Sequence, residues 1–211
     1  MPVDELTVTV TGAAVEPHAA LPTITFVADI SAPAPVHALA LRTQVMIEPQ
    51  RRRYGPDEAE RLLDLFGETP QWGDSLRPFL WAHVDVMVPG FEGSTAARLP
   101  LVCTYDFEVV AAKYLHALGD GEVPLLFLFS GTTFRRGAQG FDAAMVPWHV
   151  ESRFRLPVAT WRETMDRYFP GAGWLRLPRE TIDRLQRYRV ARALPTWEQA
   201  IDALLKEAGE E

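Results

Sequence analysis

Apolar and polar residues alternate one for one along several stretches of this chain, the period at which successive side chains of a β-strand face opposite ways. Between Ile24 and Ile30 the even positions Ile24, Phe26, Ala28 and Ile30 are apolar, while Thr23, Thr25 and Asp29 take the odd ones. "VHALALRTQVMIE" sets Leu39, Leu41, Val45 and Ile47 against Arg42, Gln44 and Glu48, and "AHVDVMV" repeats the pattern through Ala82, Val84, Val86 and Val88. "LPLVCTYDFEV" runs through Leu101, Cys103, Tyr105, Phe107 and Val109, and "VPWHVESRFRL" through Val146, Trp148, Val150, Phe154 and Leu156. Each segment predicts a strand with one buried face. "VPLLFLFSGTTF" is apolar on both faces, as in a central strand covered above and below, and amphipathic helices are its natural cover.

Helical spacing takes over elsewhere. "PDEAERLLDLFG" starts at Pro56 with acids in its first turn and stops at Gly67. "DFEVVAAKYLHALG" fits both periods and reads as strand to about Val109, then two helical turns ending at Gly119. "TWRETMDRYF" puts Trp161, Met165, Tyr168 and Phe169 on one stripe, "PRETIDRLQRYRVAR" puts Ile182, Leu185 and Tyr188 on another, and "TWEQAIDALLKEAG" opens with Thr196 and Gln199 in capping-box spacing. The pattern therefore predicts a single α+β domain over 1–211. Its antiparallel sheet, sandwich-like or curled, has about five to seven strands within 20–157, with the amphipathic helices of 158–208 packed on it.

Composition adds limits. With 211 residues, 47% of them hydrophobic, the chain can build one substantial core and is too apolar to be disordered. A net charge of -7 repels a phosphate backbone, so no nucleic-acid partner is expected. Ten Arg against five acids between Val150 and Pro195 form a basic stretch. Glu163 with Arg167, Glu180 with Arg184 and Asp183 with Arg187 sit acid-first at four-residue spacing, which assigns much of that charge to solvated helix faces. Cys103 is the only cysteine, excluding an intrachain disulfide and a cysteine-based metal cluster. The N-terminus has no basic leader or apolar h-region, and the longest apolar run, "VPLLFLF", is too short to cross a bilayer. A cytoplasmic protein without membrane insertion is the expectation.

Candidate chemistry is sparse. His18, His37, His83, His116 and His149 are scattered, and only "HVD" at His83 and "HVE" at His149 place a carboxylate beside an imidazole, so no metal or other cofactor is expected. Cys103 alternates in phase with Leu101 and Tyr105, which reads as a small core residue; Ser130 lacks a nucleophile elbow, and "GDGE" at Gly119–Glu122 is a turn. Arg51, Arg52 and Arg53 form a basic knot after Pro49, followed by Asp57, Glu58 and Glu60, so structural pairing comes first and a docking patch second. Trp148, Trp161 and Trp197 fall on apolar stripes and read as core, whereas Trp72 and Trp174 lie in Gly/Pro-rich loops where an indole can anchor a partner. Arg51, Arg52, Arg53, Tyr54, Trp72 and Trp174 are the partner-binding candidates, and no catalytic residue is assigned.

"LRTQVMIEPQRRRY", "LLDLFGETPQWGDSLRPFLW", "CTYDFEVVAAKYLHALGDGEVPLLFLFSGTTF", "WRETMDRYFPGAGWLRL" and "ALPTWEQAIDALL" together resemble a functionally uncharacterised, mainly actinobacterial family associated with gene clusters of uptake nickel-iron hydrogenases. The resemblance spans nearly all of the chain after about Thr23. It implies an accessory role in assembly, stabilisation or docking of a hydrogenase subunit or precursor. Two rivals belong to other classes: a small-ligand enzyme with a sheet-lined pocket around Asp106, His116 and Cys103, and a holding chaperone with a long apolar groove.

Overall fold

In the computed structural model, which describes residues 5–104, 109–137, 140–171 and 176–209, the alternating segments are strands that pair antiparallel. They form two sheets. The first contains β1 (Thr7–Val15), β2 (Thr23–Ser31) and β5 (Ser94–Val102) in the order β1-β2-β5. The second contains β3 (Val36–Ile47), β4 (Phe79–Phe91), β6 (Glu122–Gly137) and β7 (Gly140–Met145) in the order β4-β3-β6-β7, with β8 (Glu151–Pro157) also paired to β6. At 16 residues, β6 is long enough to serve two neighbours on one side: Glu122–Leu128 pair with β8 and Thr132–Gly137 with β7. On its other side, β3 pairs with Leu125–Phe134.

The buried faces of the two sheets meet in one core. Ile24, Phe26 and Ile30 from β2 join Leu39, Leu41, Val45 and Ile47 from β3 and Leu125 and Phe127 from β6, all fully or almost fully buried. Phe26 meets Phe127 edge-on at 5.0 Å and Phe154 at 6.0 Å. Burying each such side chain contributes roughly 1.5–3 kcal/mol, so the period-two pattern is the main source of the fold. The first sheet, and not a helical layer, covers the inner face of β6.

The eight strands among the described residues exceed the expected number because two were not read. β1 precedes residue 20, and β7, "GFDAAM", is exposed on both faces and has no alternation to detect. The stretch from Val146 to Val150, read as strand, is instead the turn between β7 and β8, closed by Val150 N–H donating to Pro147 O at 3.1 Å. This overturns the reading of Trp148 as core: it is 92% exposed.

Helices fill the connections. Between β3 and β4 come α1 (Pro56–Arg61), α2 (Leu63–Phe66) and α3 (Trp72–Ser75), with Gly67 at positive φ ending α2 where the sequence predicts a stop. Next, α4 (Val110–Ala117) precedes β6, and Tyr105 and Phe107, read as strand, lie outside the described residues. Following β8, α5 (Val158–Tyr168) buries Val158, Trp161, Thr164 and Met165 and lies on β1, β2 and β8, the helix-on-sheet packing that its stripe predicts. No helix among the described residues is long and apolar enough to cross a membrane.

The chain divides into two compact units, 1–174 and 175–211. In the second, α6 (Arg179–Ala191) contacts α7 (Trp197–Ala208). Thr196 caps α7 by accepting the Gln199 N–H at 3.2 Å, as the spacing predicts. Trp197, expected in the core, is half-exposed beneath the Arg189 guanidinium, 4.5 Å from its ring.

Candidate functional site

The three arginines after β3 go three different ways. Arg51 pairs at 3.0 Å with the buried carboxylate of Glu48, which also accepts from Arg153 at 3.3 Å. Arg53 is exposed. Arg52 turns inward. Its side chain is only 9% exposed and that of Glu58 11%, and the two meet at 2.5 Å. Arg52 further donates to the carbonyls of Asp120 at 2.6 Å and Glu122 at 2.8 Å, which ties the start of α1 to the turn after α4. Gly121 in that turn has φ +84°, and a Cβ there would stand 3.3 Å from the Arg52 guanidinium.

Glu58 completes the junction. Besides Arg52 it accepts the N–H of Gly119 at 2.7 Å and of Gly55 at 3.2 Å, the second being the reach-back of an N-terminal helix cap. Burial by itself raises a carboxyl pKa; here the two N–H groups and the guanidinium outweigh it and hold Glu58 below the ordinary value. Tyr54 donates to Pro49 O at 2.8 Å, shares a 2.8 Å hydrogen bond with the Tyr114 hydroxyl, and meets Trp72 edge-on at 5.1 Å. Trp72 in turn donates its indole N–H to Gly67 O at 2.9 Å. Burial pushes the pKa of Tyr54 far up and that of Tyr114 to about 12. Arg52, Tyr54 and Trp72 are therefore brought together, as a brace whose polar groups largely face each other. Trp174 lies outside the described residues.

The open surface is elsewhere. On the outer face of the second sheet, Met87, Ala40, Thr132 and Met145 stand in one cross-strand row, next to the ion pair of Arg42 with Asp85 at 3.0 Å. They line a shallow, mainly apolar groove of about 550 Å³. Its floor is backbone at Gly131, where φ is +140° and a Cβ would lie 2.0 Å from Ala40 O. Beside it, Phe141 rests on the His37 ring at 4.6 Å, and Trp148 stands on its turn with the His149 ring 5.6 Å away. The sequence reading missed this region, although Pro147 immediately before Trp148 marks the turn.

The expected carboxylate neighbours of the histidines pair differently. Asp85 takes Arg42, Glu151 takes Arg153 at 2.6 Å, and His149 approaches Glu5 at 3.2 Å. Among the described residues no three His, Cys, Asp or Glu side chains come together to hold a metal. Cys103 is 4% exposed, and burial pushes its thiol up to about 12, so at neutral pH it is a protonated core group. His116 is exposed on α4, with its pKa lowered by desolvation and by Arg162 and Arg61; Asp106, the third member of that set, is outside the described residues.

Likeness to solved structures is distant. The CARDB domain of a Pyrococcus furiosus protein in complex with di-metal ions is 9% identical with a TM-score of 0.29, over 72% of this chain and 86% of that one. A putative late embryogenesis abundant protein is 10% identical with a TM-score of 0.32, over 74% and 72%. A β-glucosidase from Kluyveromyces marxianus is 10% identical with a TM-score of 0.25, over 72% of this chain and 14% of the enzyme. No curated protein matches the sequence. The profile of a family of unknown function (DUF6084) matches residues 3–211.

Proposed function

The chain belongs to that family of unknown function, and on this premise we propose that it is a non-catalytic accessory protein that binds another protein. The partner we infer is a subunit or precursor of a nickel-iron uptake hydrogenase, and the role is assembly, stabilisation or docking. The choice of hydrogenase rests on the sequence resemblance that spans nearly all of the chain after about Thr23.

One observation carries the binding role: Trp148, 92% exposed on an ordered turn. That turn is fixed from both ends, by Val146 N–H on Gly131 O at 3.0 Å and Phe129 N–H on Val150 O at 3.1 Å. A bare indole held in water forgoes roughly 1.5–3 kcal/mol of burial, and rigid aromatic anchors of this kind dominate protein interfaces. The enzyme alternative is weakened because its nucleophile, Cys103, is buried and protonated.

Affinity purification from the native cell tests the reading with the wild-type chain, Trp148→Ala, and a double change of Arg51 and Arg53 to Ser that leaves Arg52 in its brace. Wild type recovers a hydrogenase subunit, Trp148→Ala loses most of it, and the arginine variant loses less. Recovery of no hydrogenase subunit by wild type overturns the partner; equal recovery by wild type and Trp148→Ala overturns the anchor.

A further inference from the structure

We propose that β7 is a dimerisation edge: two copies of this chain join β7 to β7, antiparallel, about a two-fold axis through Ala143. Two five-stranded sheets become one of ten.

Alternate backbone groups of β7 point away from β6. Val146 N–H donates to Gly131 O, and Ala144 O accepts from the Thr133 hydroxyl at 3.0 Å, so even-numbered residues of this segment direct their N–H and C=O groups at β6. Because successive residues of a strand alternate sides, Phe141, Ala143 and Met145 direct theirs outward, away from the sheet. β7 is the terminal strand of its sheet, and every one of its residues is exposed.

Other edges are guarded against such pairing. Pro89 interrupts β4, Pro100 interrupts β5 with Arg98 bridged to Glu16 beside it, and in β1 the Val10 N–H is taken by Ser152 Oγ at 3.0 Å. Proline, charge and coverage are the devices by which proteins block an edge. β7 has neither proline nor lysine. Its single charge, Asp142, is directed at Gly137 across the hairpin, where a Cβ would meet its Oδ2 at 2.5 Å. The edge is thus left available for a strand.

Register identifies the strand as a second β7. An axis through a residue pairs odd positions with odd and so aims the outward groups of both copies at each other, and an axis through Ala143 uses all three such residues of β7. It pairs Ala143 with Ala143 and Phe141 with Met145 of the other copy, giving about six main-chain hydrogen bonds. Phe141 and Met145, both exposed, then cover one another across the axis in an aromatic–sulfur contact. Asp142 falls opposite Ala144, so the two carboxylates do not meet. An axis through Asp142 would oppose them directly and leave Met145 without a partner in the other β7.

Sedimentation equilibrium of the full chain, with hydrogen exchange read residue by residue, tests this. Wild type dimerises, and the amides of Phe141, Ala143 and Met145 gain protection as concentration rises, while those of Asp142 and Ala144 are protected throughout. Ala143→Pro removes an outward N–H without touching a bond to β6, and weakens the dimer at least about tenfold. Ala143→Asp and Ala143→Arg guard against misfolding as the explanation: each alone is monomeric and the two mixed form a heterodimer. A wild type monomeric at about 100 μM overturns the proposal, as does a dimer unchanged by Ala143→Pro and Ala143→Asp. Protection of the edge amides only by a different protein's strand overturns it as well.

Discussion

The brace around Arg52 and the turn around Trp148 use the same materials, aromatic rings beside charged groups, and end in opposite states. In the brace polar groups find partners both near in the chain and far along it: Glu58 collects Arg52 and the N–H groups of Gly55 and Gly119, and Tyr54 collects Pro49 and Tyr114. At the turn the polar side chains pair with each other, His149 with Glu5 and Glu151 with Arg153, and the indole is left without a cover. A basic run is therefore a poor guide to an interface when acids and carbonyls can reach it. An aromatic beside a turn proline is the side chain left in water.

The largest expected effect separates the brace from its exposed neighbour. Glu58→Ala leaves the buried guanidinium of Arg52 without its carboxylate and the N–H groups of Gly119 and Gly55 without an acceptor. Removing one partner of a buried ion pair costs about 3–5 kcal/mol. Arg53→Ser, at the exposed residue immediately before Tyr54, stays within about 0.5 kcal/mol. Urea unfolding of the two variants measures both, and a Glu58→Ala cost under about 1 kcal/mol would reduce the brace to an ordinary surface pair.

A smaller contrast tests the aromatic groups. Tyr54→Phe strips the Pro49 carbonyl and the buried Tyr114 hydroxyl of one hydrogen bond each, for a loss of about 1–3 kcal/mol. Trp148→Ala leaves stability unchanged within about 0.5 kcal/mol and removes the most water-exposed fluorophore among the described tryptophans. If Trp148→Ala instead costs as much as Tyr54→Phe, the indole is packed and its role as an anchor fails.

What was legible in the sequence follows the same division. Local periods revealed β2, β3, β4 and β6, the Pro56 start and Gly67 stop, and the Thr196 cap, because each depends on residues a few positions apart. β7 was illegible since a strand exposed on both faces has no period, and Val146–Val150 misled because a turn between two strands kept their alternation. Of the arginine knot, Arg51 and Arg52 pair with carboxylates and Arg53 is exposed. Glu58 is among the acids that follow the knot in the sequence; the other partners, Glu48 shared with Arg153 and the carbonyls of Asp120 and Glu122, are too ordinary or too distant for a spacing rule to select.

The smallest effect is a shape rather than a size. Glu58 has a lowered pKa in the folded chain, so its stabilisation is complete above the ordinary value near 4.5 and is lost as pH falls through the folded value. Tyr114 and Cys103 lie on the other limb: raised from 10.0 and 9.0 to about 12, they favour the folded state fully below those ordinary values and less as pH climbs toward 12. Urea midpoints followed across pH should thus give a dome whose acid side flattens in Glu58→Gln while its alkaline side does not move. Trp148→Ala should reproduce the wild-type dome on both sides, since nothing that titrates in the brace touches the turn. If the acid limb of Glu58→Gln is as steep as that of wild type, the carboxylate gains nothing from Arg52 and the two N–H groups. The difference between brace and turn would then be one of shape and not of electrostatics.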